Sequence, residues 1–198
     1  MFDYFGKDEY QKQKKFQKLR DNILLPIVKF LTKLKIVPDI VTYFSMFLFW
    51  VAIFIIYEHP IIGGILGFLY CLLDGLDGPL ARYQNNASKA GSLLDIANDQ
   101  LGIIFIPVFA IYYFHTNAIF AYLFGFFYVM DVILIVVLNN LNIRTNFIIR
   151  VKYFYYFMFL ISCLIKRDYI VYFHVIFSIF YMVHTVYLFW LLRRFYRG

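Results

Sequence analysis

Charged residues are scarce in this sequence. Only 16% of its 198 residues are Asp, Glu, Lys or Arg, whereas 63% are hydrophobic. A soluble domain usually carries about a quarter charged residues and just under half apolar ones. The shortage of charge argues against a water-soluble globule, and the high hydrophobicity argues against intrinsic disorder. The composition therefore indicates a membrane protein.

Cysteine is also rare, with two residues, Cys71 and Cys163, each inside an apolar run. This excludes a disulfide scaffold, and the spacing matches no cysteine-based metal site. The first 21 residues are too polar to be the apolar core of a signal peptide, so we expect the chain to keep its N-terminus.

Apolar runs of about 20 residues, long enough to cross a bilayer, are what the sequence has instead. There are six: Val37–Tyr57, Pro60–Arg82, Ser88–Phe114, Asn117–Leu138, Phe147–Ile165 and Tyr169–Leu192. They lack the alternation of a β-barrel, and lipid requires backbone polar groups to be satisfied within the element. The sequence predicts an all-α polytopic membrane protein, with residues 37–198 as a six-helix transmembrane domain.

The basic residues indicate orientation rather than a nucleic-acid partner, although 19 of them against 12 acidic residues give a net charge of +7. Nine precede the first run, and in the six-span arrangement only Lys166 and Arg167 fall on the opposite side from the rest. Cytosolic flanks carry such an excess of Lys and Arg. Both termini are therefore predicted to be cytosolic.

Residues 1–36 are predicted to form a cytosolic segment ending in an interfacial helix. Between Asp21 and Ile36, apolar residues alternate with Lys29, Lys33 and Lys35 at helical spacing. A basic amphipathic helix of this kind lies in the headgroup layer. It either orients the protein or takes part in substrate access, and the sequence leaves both open.

Acidic residues inside the spans are the most informative feature, because each costs a few kcal/mol at bilayer depth unless it is paired or hydrated. They are Asp74, Asp77, Asp95, Asp99 and Asp131. At about 100° per residue, the first two share one face of the second span, and Asp95 and Asp99 share one face of the third. A short polar link joins these spans, so we expect the two faces to meet near the cytosolic surface.

Four converging carboxylates would repel one another and take up protons unless cations were present. Hard divalent ions with oxygen ligands, Mg²⁺ or Mn²⁺, suit the site better than Zn²⁺, because His and Cys are distant in sequence. A pair of such ions clamps a pyrophosphate during phosphoryl displacement, and Arg82 on the same face offers a fork of donors. The alternative is that the acids form buried ion pairs with Arg82, Lys89 and Lys152.

The residues Asp74-x-x-Asp77-Gly78-x-x-Ala81-Arg82, then eight residues, then Gly91-x-x-x-Asp95-x-x-x-Asp99 form a recognisable signature. Position for position it resembles the motif of the CDP-alcohol phosphotransferase family. The resemblance implies a six-helix membrane enzyme, generally a homodimer with two divalent ions. Such enzymes cleave the pyrophosphate of a CDP-alcohol, release CMP and join the phospho-alcohol to an acceptor hydroxyl.

The resemblance also implies roles for single residues. It makes the four aspartates metal ligands, Asp99 in addition the general base, and Gly78, Arg82 and Gly91 contacts to the CDP portion. A carboxylate beside divalent cations is a weak base. The role of Asp99 as general base therefore requires that the metal or the substrate also acidifies the acceptor hydroxyl.

A second segment, Pro38-Asp39-Ile40-Val41-Thr42, resembles the family's Pro-Asn-x-x-Thr near the cytidine. This implies CDP contacts by Asp39, which replaces the usual Asn, and by Thr42. The alternative for Thr42 is an ordinary hydroxyl at a helix start.

The acceptor side has weaker signals. Asp131 either binds acceptor hydroxyls or neutralises a base such as Arg144 or Lys152. Arg144, Arg150 and Lys152 either bind a phosphorylated acceptor or are simple membrane flanks. The four histidines, His59, His115, His174 and His184, lie in predicted outer loops and the sixth span, and none is expected to form a ligand pair with the acids.

The predicted function is transfer of a phosphatidyl-type group from CDP-diacylglycerol or an ether analogue to a small polar alcohol such as a polyol or polyol phosphate. A CDP-choline or CDP-ethanolamine phosphotransferase acting on diacylglycerol would share the site chemistry. A divalent-cation or proton-coupled transporter would instead spread its carboxylates along a path across the bilayer. A catalytically inactive scaffold would tolerate loss of the acids.

Overall fold

Helices make up the regular secondary structure of the computed structural model, which describes residues 7–143, 145 and 151–197, with side chains from residue 17 onward except that of residue 89. No strand occurs in these ranges. The helices are α1 (Lys7–Lys33), α2 (Pro38–Ile56), α3 (Pro60–Tyr83), α4 (Lys89–Phe114), α5 (Ala118–Asn140), α6 (Lys152–Ile165) and α7 (Ile170–Arg197). The predicted all-α class is confirmed for this part of the chain.

Within the described ranges, five helices are long and apolar enough to cross a membrane: α2, α3, α4, α5 and α7. Their ends lie within two residues of the predicted spans, except that α7 ends five residues later than predicted. The remaining predicted span, Phe147–Ile165, contains α6, whose 14 residues reach about 21 Å, less than the roughly 30 Å of hydrocarbon. Residues 146–150 lie outside the described part of the chain, so the sixth span stays a prediction.

The spans begin where the sequence supplies residues suited to a helix start. Pro38 and Pro60 occupy the first helical position of α2 and α3, where a missing N–H costs nothing and the fixed φ is already helical. Asn117 precedes α5, and its side-chain oxygen accepts hydrogen bonds from the N–H groups two and three residues further on.

Five of the described helices, α1, α3, α4, α5 and α6, end without glycine. A non-glycine residue with positive φ follows each of them: Lys35, Asn85, His115, Asn142 and Lys166. Behind four of them an N–H group bonds to the carbonyl five residues earlier: Ile36 to Leu31 (3.0 Å), Asn86 to Ala81 (2.8 Å), Ile143 to Leu138 (2.9 Å) and Arg167 to Ser162 (3.2 Å). These bonds satisfy carbonyls that a helix end leaves without partners.

The described residues group into two compact units, and the first comprises Lys7–Asp99. In it α3 packs against both α1 and α2. The approach to α2 is close because Gly63 lacks a side chain, and a Cβ there would lie 2.6 Å from Ile56 Cα. The buried residues of one apolar cluster come from all three helices: Val28, Val41, Leu76 and Leu80.

Helix α1 begins at Lys7, earlier than the predicted Asp21, because residues 7–20 are mostly Lys, Gln and Glu, which favour helix. Its surface divides into three faces. Leu24, Val28 and Leu31 pack against the cluster on α3, a neighbouring stripe of exposed apolar side chains includes Ile23 (67% exposed), and the lysines lie on the third face. This distribution is typical of a helix at a membrane surface, a position that stays a prediction.

The second unit comprises the described residues from Gln100 onward. There α7 packs against α5 and α6. Its interior is aromatic, and the ring of Phe124 lies 4.8 Å from Tyr155, 5.4 Å from Phe173 and 5.5 Å from His174 between centroids. The Tyr155 hydroxyl and His174 Nε2 are hydrogen-bonded at 2.9 Å. A leucine-rich cluster lies at Leu134, Ile135, Leu138 and Leu188.

We predict that Gly63→Ala lowers the free energy of unfolding by about 1–3 kcal/mol, because the added methyl group meets backbone as well as side-chain atoms of Ile56. Gly125→Ala is the matched control. A Cβ at Gly125 would lie 3.9 Å from Pro107 Cγ, an ordinary contact, so helix propensity alone predicts equal or slightly higher stability. Thermal unfolding in detergent measures both, and equal midpoints would contradict the close packing.

Candidate active site

Three of the four predicted metal ligands lie together in the first unit. One carboxylate oxygen from each of Asp74, Asp95 and Asp99 lies within 4.8 Å of the others. Asp74 comes from α3, whereas Asp95 and Asp99 are one turn apart on α4 and share its face. Asp74 is 3% exposed and the other two are half-buried. The two halves of the sequence motif thus form one cluster.

Asp77 lies outside that group of three, and α2 supplies a partner for it. Thr42 Oγ1 donates to Asp77 Oδ2 at 2.7 Å, a shorter contact than the 3.3 Å to the carbonyl of Pro38. Both side chains are buried, so the hydrogen bond compensates a charge in a dry environment. Thr42, predicted to contact CDP or to be an ordinary hydroxyl at a helix start, therefore contacts one of the four acids.

Asn98 holds Asp74, and sequence reasoning missed it. Asn98 Nδ2 donates to Asp74 Oδ1 at 2.5 Å, and Ser45 Oγ lies 3.4 Å from the same nitrogen. Tyr70 fixes the backbone at this point, because its hydroxyl donates to the carbonyl of Asn98 at 2.9 Å. The available signal was a single amide between Asp95 and Asp99.

Arg82 forms a fork with Asp21 of α1. Its Nε donates to Asp21 Oδ2 at 2.9 Å and its Nη2 to Oδ1 at 2.7 Å. The described ion pair of Arg82 is therefore with Asp21 and not with the four acids, contrary to the alternative in which it neutralises them. Both side chains are partly exposed, at 24% and 31%.

Gly78 lies beside two guanidinium groups. A Cβ at this position would be 3.3 Å from Arg82 Nη1 and 3.7 Å from Arg20 Nη2. Asp21 does not bind Nη1, the Arg82 nitrogen nearest to Gly78. A side chain at Gly78 would crowd these groups, so the glycine keeps open a space next to concentrated positive charge.

The other residues predicted to contact the CDP portion of the substrate lie at helix starts. Gly91 is in the first turn of α4, where its N–H donates to Ser88 Oγ at 2.9 Å, as at a capped helix start. Asp39 is exposed in the first turn of α2.

The predicted acceptor residues belong to the second unit. Asp131 is buried, and its Oδ1 lies 2.6 Å from Nδ1 of His184, a pair that sequence reasoning missed. Both residues lie seven or eight positions before the end of a predicted span, a depth match that could have revealed the pair. Lys152 is buried at the start of α6. Arg144 and Arg150 lie outside the described residues.

The cluster is chemically suited to a hard divalent cation. Its ligand set consists of carboxylate oxygens, which Mg²⁺ and Mn²⁺ prefer. Carboxylates this close repel one another, and a bound cation would relieve that repulsion. The buried Asn98 Oδ1, which accepts no hydrogen bond from the described residues, adds a further oxygen next to the cluster.

A match to a known protein family covers most of the chain. Residues 35–190 match the sequence model of the family described as CDP-alcohol phosphatidyltransferase. The chain belongs to this family. The matched range includes the three clustered aspartates, Asp77, Thr42, Arg82 and Asn98. This family is one of membrane transferases of phospholipid biosynthesis that typically use a divalent metal, and five described helices of this chain are long and apolar enough to cross a membrane.

A relative from Aquifex aeolicus (strain VF5), described as an uncharacterized protein, is 35% identical over 81 residues. The match covers 40% of this chain and 41% of the relative. The chain therefore spans about two fifths of the length of that relative.

We predict that Thr42→Val lowers the free energy of unfolding by about 1–3 kcal/mol, because it removes the Thr42 hydroxyl donor from the buried Asp77 carboxylate. Thr42→Ser keeps the hydroxyl and should lose much less. Thr185→Val is a matched control, since the hydroxyl of this buried residue makes only a 3.4 Å contact to the carbonyl of Phe127. Unfolding midpoints measure all three, and equal losses for the two valine variants would refute a special role for the Thr42 hydroxyl.

Proposed function

We propose that this protein transfers a phosphatidyl-type group from a CDP-linked lipid, CDP-diacylglycerol or an ether analogue, to the hydroxyl of a small polar alcohol such as a polyol or polyol phosphate. The family supports transfer from a CDP-alcohol in general. The observation that carries the proposal is the convergence of Asp74, Asp95 and Asp99 within 4.8 Å, since oxygen clusters of this type serve phosphoryl transfer.

Asp74, Asp77, Asp95 and Asp99 would hold two Mg²⁺ or Mn²⁺ ions. When bound, the ions supply positive charge that stabilises the pyrophosphate and the leaving CMP. Two of these carboxylates are oriented by side chains of the protein, because Thr42 donates to Asp77 and Asn98 donates to Asp74.

The reaction is a displacement at the phosphorus next to the lipid alcohol. The acceptor oxygen forms a new bond to this phosphorus, and the bond to the bridging oxygen of the pyrophosphate breaks, so CMP leaves with that oxygen. The proton of the acceptor hydroxyl passes to Asp99. Asp99 is half-buried, which is compatible with access by a polar acceptor.

Gly78, Arg82, Gly91, Asp39 and Thr42 are proposed to contact the CDP portion. The strongest support concerns Gly78 and Arg82, because Nη1 of Arg82 borders the open space at Gly78 and a guanidinium binds phosphate oxygens well. The Thr42 hydroxyl donates to Asp77, so a contact of Thr42 with the nucleotide would use the oxygen as acceptor.

On the acceptor side we propose Asp131, Arg144, Arg150 and Lys152. The pair that Asp131 forms with His184 offers hydrogen-bonding groups within otherwise apolar helices. We further propose that the protein is a homodimer with six spans, α1 at the membrane surface, and the termini and active site in the cytosol, where the nucleotide and a water-soluble acceptor are available.

The reaction is tested by incubating the purified protein with CDP-diacylglycerol, Mg²⁺ and a panel of alcohols while CMP is measured. CMP release that needs both Mg²⁺ and an alcohol supports the proposal. Release from CDP-choline with diacylglycerol, but not from CDP-diacylglycerol, would indicate the other phosphotransferase type. Folded protein that releases no CMP with any donor would sink the enzymatic proposal and leave the transporter and scaffold alternatives.

We predict that Asp99→Asn lowers CMP release by at least about 100-fold, because the amide cannot take the acceptor proton. Its thermal unfolding should show a folded protein. Glu58→Gln, an exposed acid between α2 and α3, is the matched control and should keep the wild-type rate. An undiminished rate in Asp99→Asn would remove this residue as the base.

We also predict that Arg82→Lys raises the KM for the CDP-linked lipid about tenfold, because an ammonium group cannot bind Asp21 and a phosphate oxygen with one planar fork. Arg193→Lys, at an exposed position near the end of α7, is the control and should leave KM unchanged. Equal KM values for both variants would contradict a phosphate contact by Arg82.

A further inference from the structure

Asn98 is a buried polar residue whose position carries no letter of the family motif. It follows Asp95 by three residues and precedes Asp99 directly on α4, and only 1% of its surface is exposed. A buried amide requires a physical reason, because an apolar side chain of similar size would avoid the cost of desolvation.

The donor half of the Asn98 amide makes the described contacts. Its Nδ2 donates to Asp74 Oδ1 at 2.5 Å and lies 3.4 Å from Ser45 Oγ. The Ser45 hydroxyl itself donates to the carbonyl of Thr42 at 2.8 Å, so its oxygen is left to accept from Asn98. The amide therefore bridges α2 and Asp74 on α3.

The side-chain oxygen of Asn98 takes no part in this bridge between α2 and Asp74. Asn98 Oδ1 is buried and has no hydrogen-bond partner among the described residues. A buried oxygen without a partner is unfavourable, because it has given up its hydrogen bonds to water. Because this cost is tolerated, the orientation of the amide is set by the hydrogen bond from Nδ2 to Asp74.

We infer that Asn98 is a positioning residue of the metal centre, an inference that rests on the proposed use of Asp74 as a metal ligand. Its N–H group holds the Asp74 carboxylate in one orientation against the repulsion of Asp95 and Asp99. A ligand that is already oriented loses less freedom when the cation binds. Hydrogen bonds that orient metal ligands are worth about 10–100-fold in metal affinity.

Helix α2 takes part in this positioning through two residues one turn apart. Thr42 donates directly to Asp77, and Ser45 contacts the amide that holds Asp74. Helix α2 contributes no residue to the acidic cluster, but through these contacts it orients two acidic side chains of α3, Asp74 and Asp77. The effect of Ser45 passes through Asn98 and should be smaller than that of Asn98 itself.

The test uses the purified full chain in detergent and Mn²⁺ alone as the probe, with bound Mn²⁺ measured from the loss of the free-ion electron paramagnetic resonance signal. Asn98→Leu removes the donor at nearly constant volume and should weaken Mn²⁺ binding about tenfold. Ser45→Ala should weaken it less. Asn139→Leu on α5 and Ser178→Ala on α7 are the matched controls, since Ser178 makes the same contact to the carbonyl three residues earlier.

Unchanged Mn²⁺ affinity in folded Asn98→Leu would overturn the inference. If Asn98→Leu does not fold, Ser45→Ala decides, and an affinity equal to that of the wild-type protein overturns it. The proposed reaction is judged separately from CMP release. If Mn²⁺ binding depends on Asn98 but the wild-type protein releases no CMP, the positioning role is supported and the proposed reaction is rejected. If the wild-type protein and Asn98→Leu release CMP with the same Mg²⁺ requirement, only the positioning role is rejected.

Discussion

The cost of placing carboxylates in an apolar bundle is the constraint on which the rest of this protein depends. Asp74 and Asp77 are buried on α3, and each would be strongly destabilising without a hydrogen-bond donor. The donors come from the two neighbouring helices, with Thr42 on α2 and Asn98 on α4. The same contacts that make the acids tolerable in the fold also fix where their oxygens lie, so stability and function are coupled at these positions.

The bidentate ion pair of Arg82 with Asp21 connects α1, a segment outside the predicted spans, to the sequence motif on α3. Asp21 lies on α1, the helix with an exposed apolar stripe and a lysine face. Because both partners are partly exposed, the pair contributes at most about 1 kcal/mol, too little to be a major source of stability. Its value lies in geometry, since it orients the guanidinium group next to Gly78 by means of a helix suited to a membrane surface.

Much of this architecture could be predicted from sequence, because the helices and their faces are local properties. Apolar runs with Pro38 and Pro60 at their starts define the helix boundaries, and the spacing of Asp95 and Asp99 predicts one face. The pairs that join helices could not be predicted in this way. Thr42 with Asp77, Asp21 with Arg82 and Asp131 with His184 are 35 to 61 residues apart, and no periodicity specifies which polar side chain meets which. The motif resemblance identifies the acidic residues, whereas their hydrogen-bond partners depend on how the helices of this chain pack.

The glycine-free helix ends have a consequence for the experimental handling of this protein. Lysine and histidine at positive φ carry a steric penalty of about 1 kcal/mol that glycine avoids. Replacing Lys35, His115 or Lys166 by glycine would thus relieve backbone strain. All three residues lie between helices and are remote in sequence from the four aspartates. Glycine at these three places offers a route to a more heat-resistant protein for work in detergent, without any change at the four aspartates.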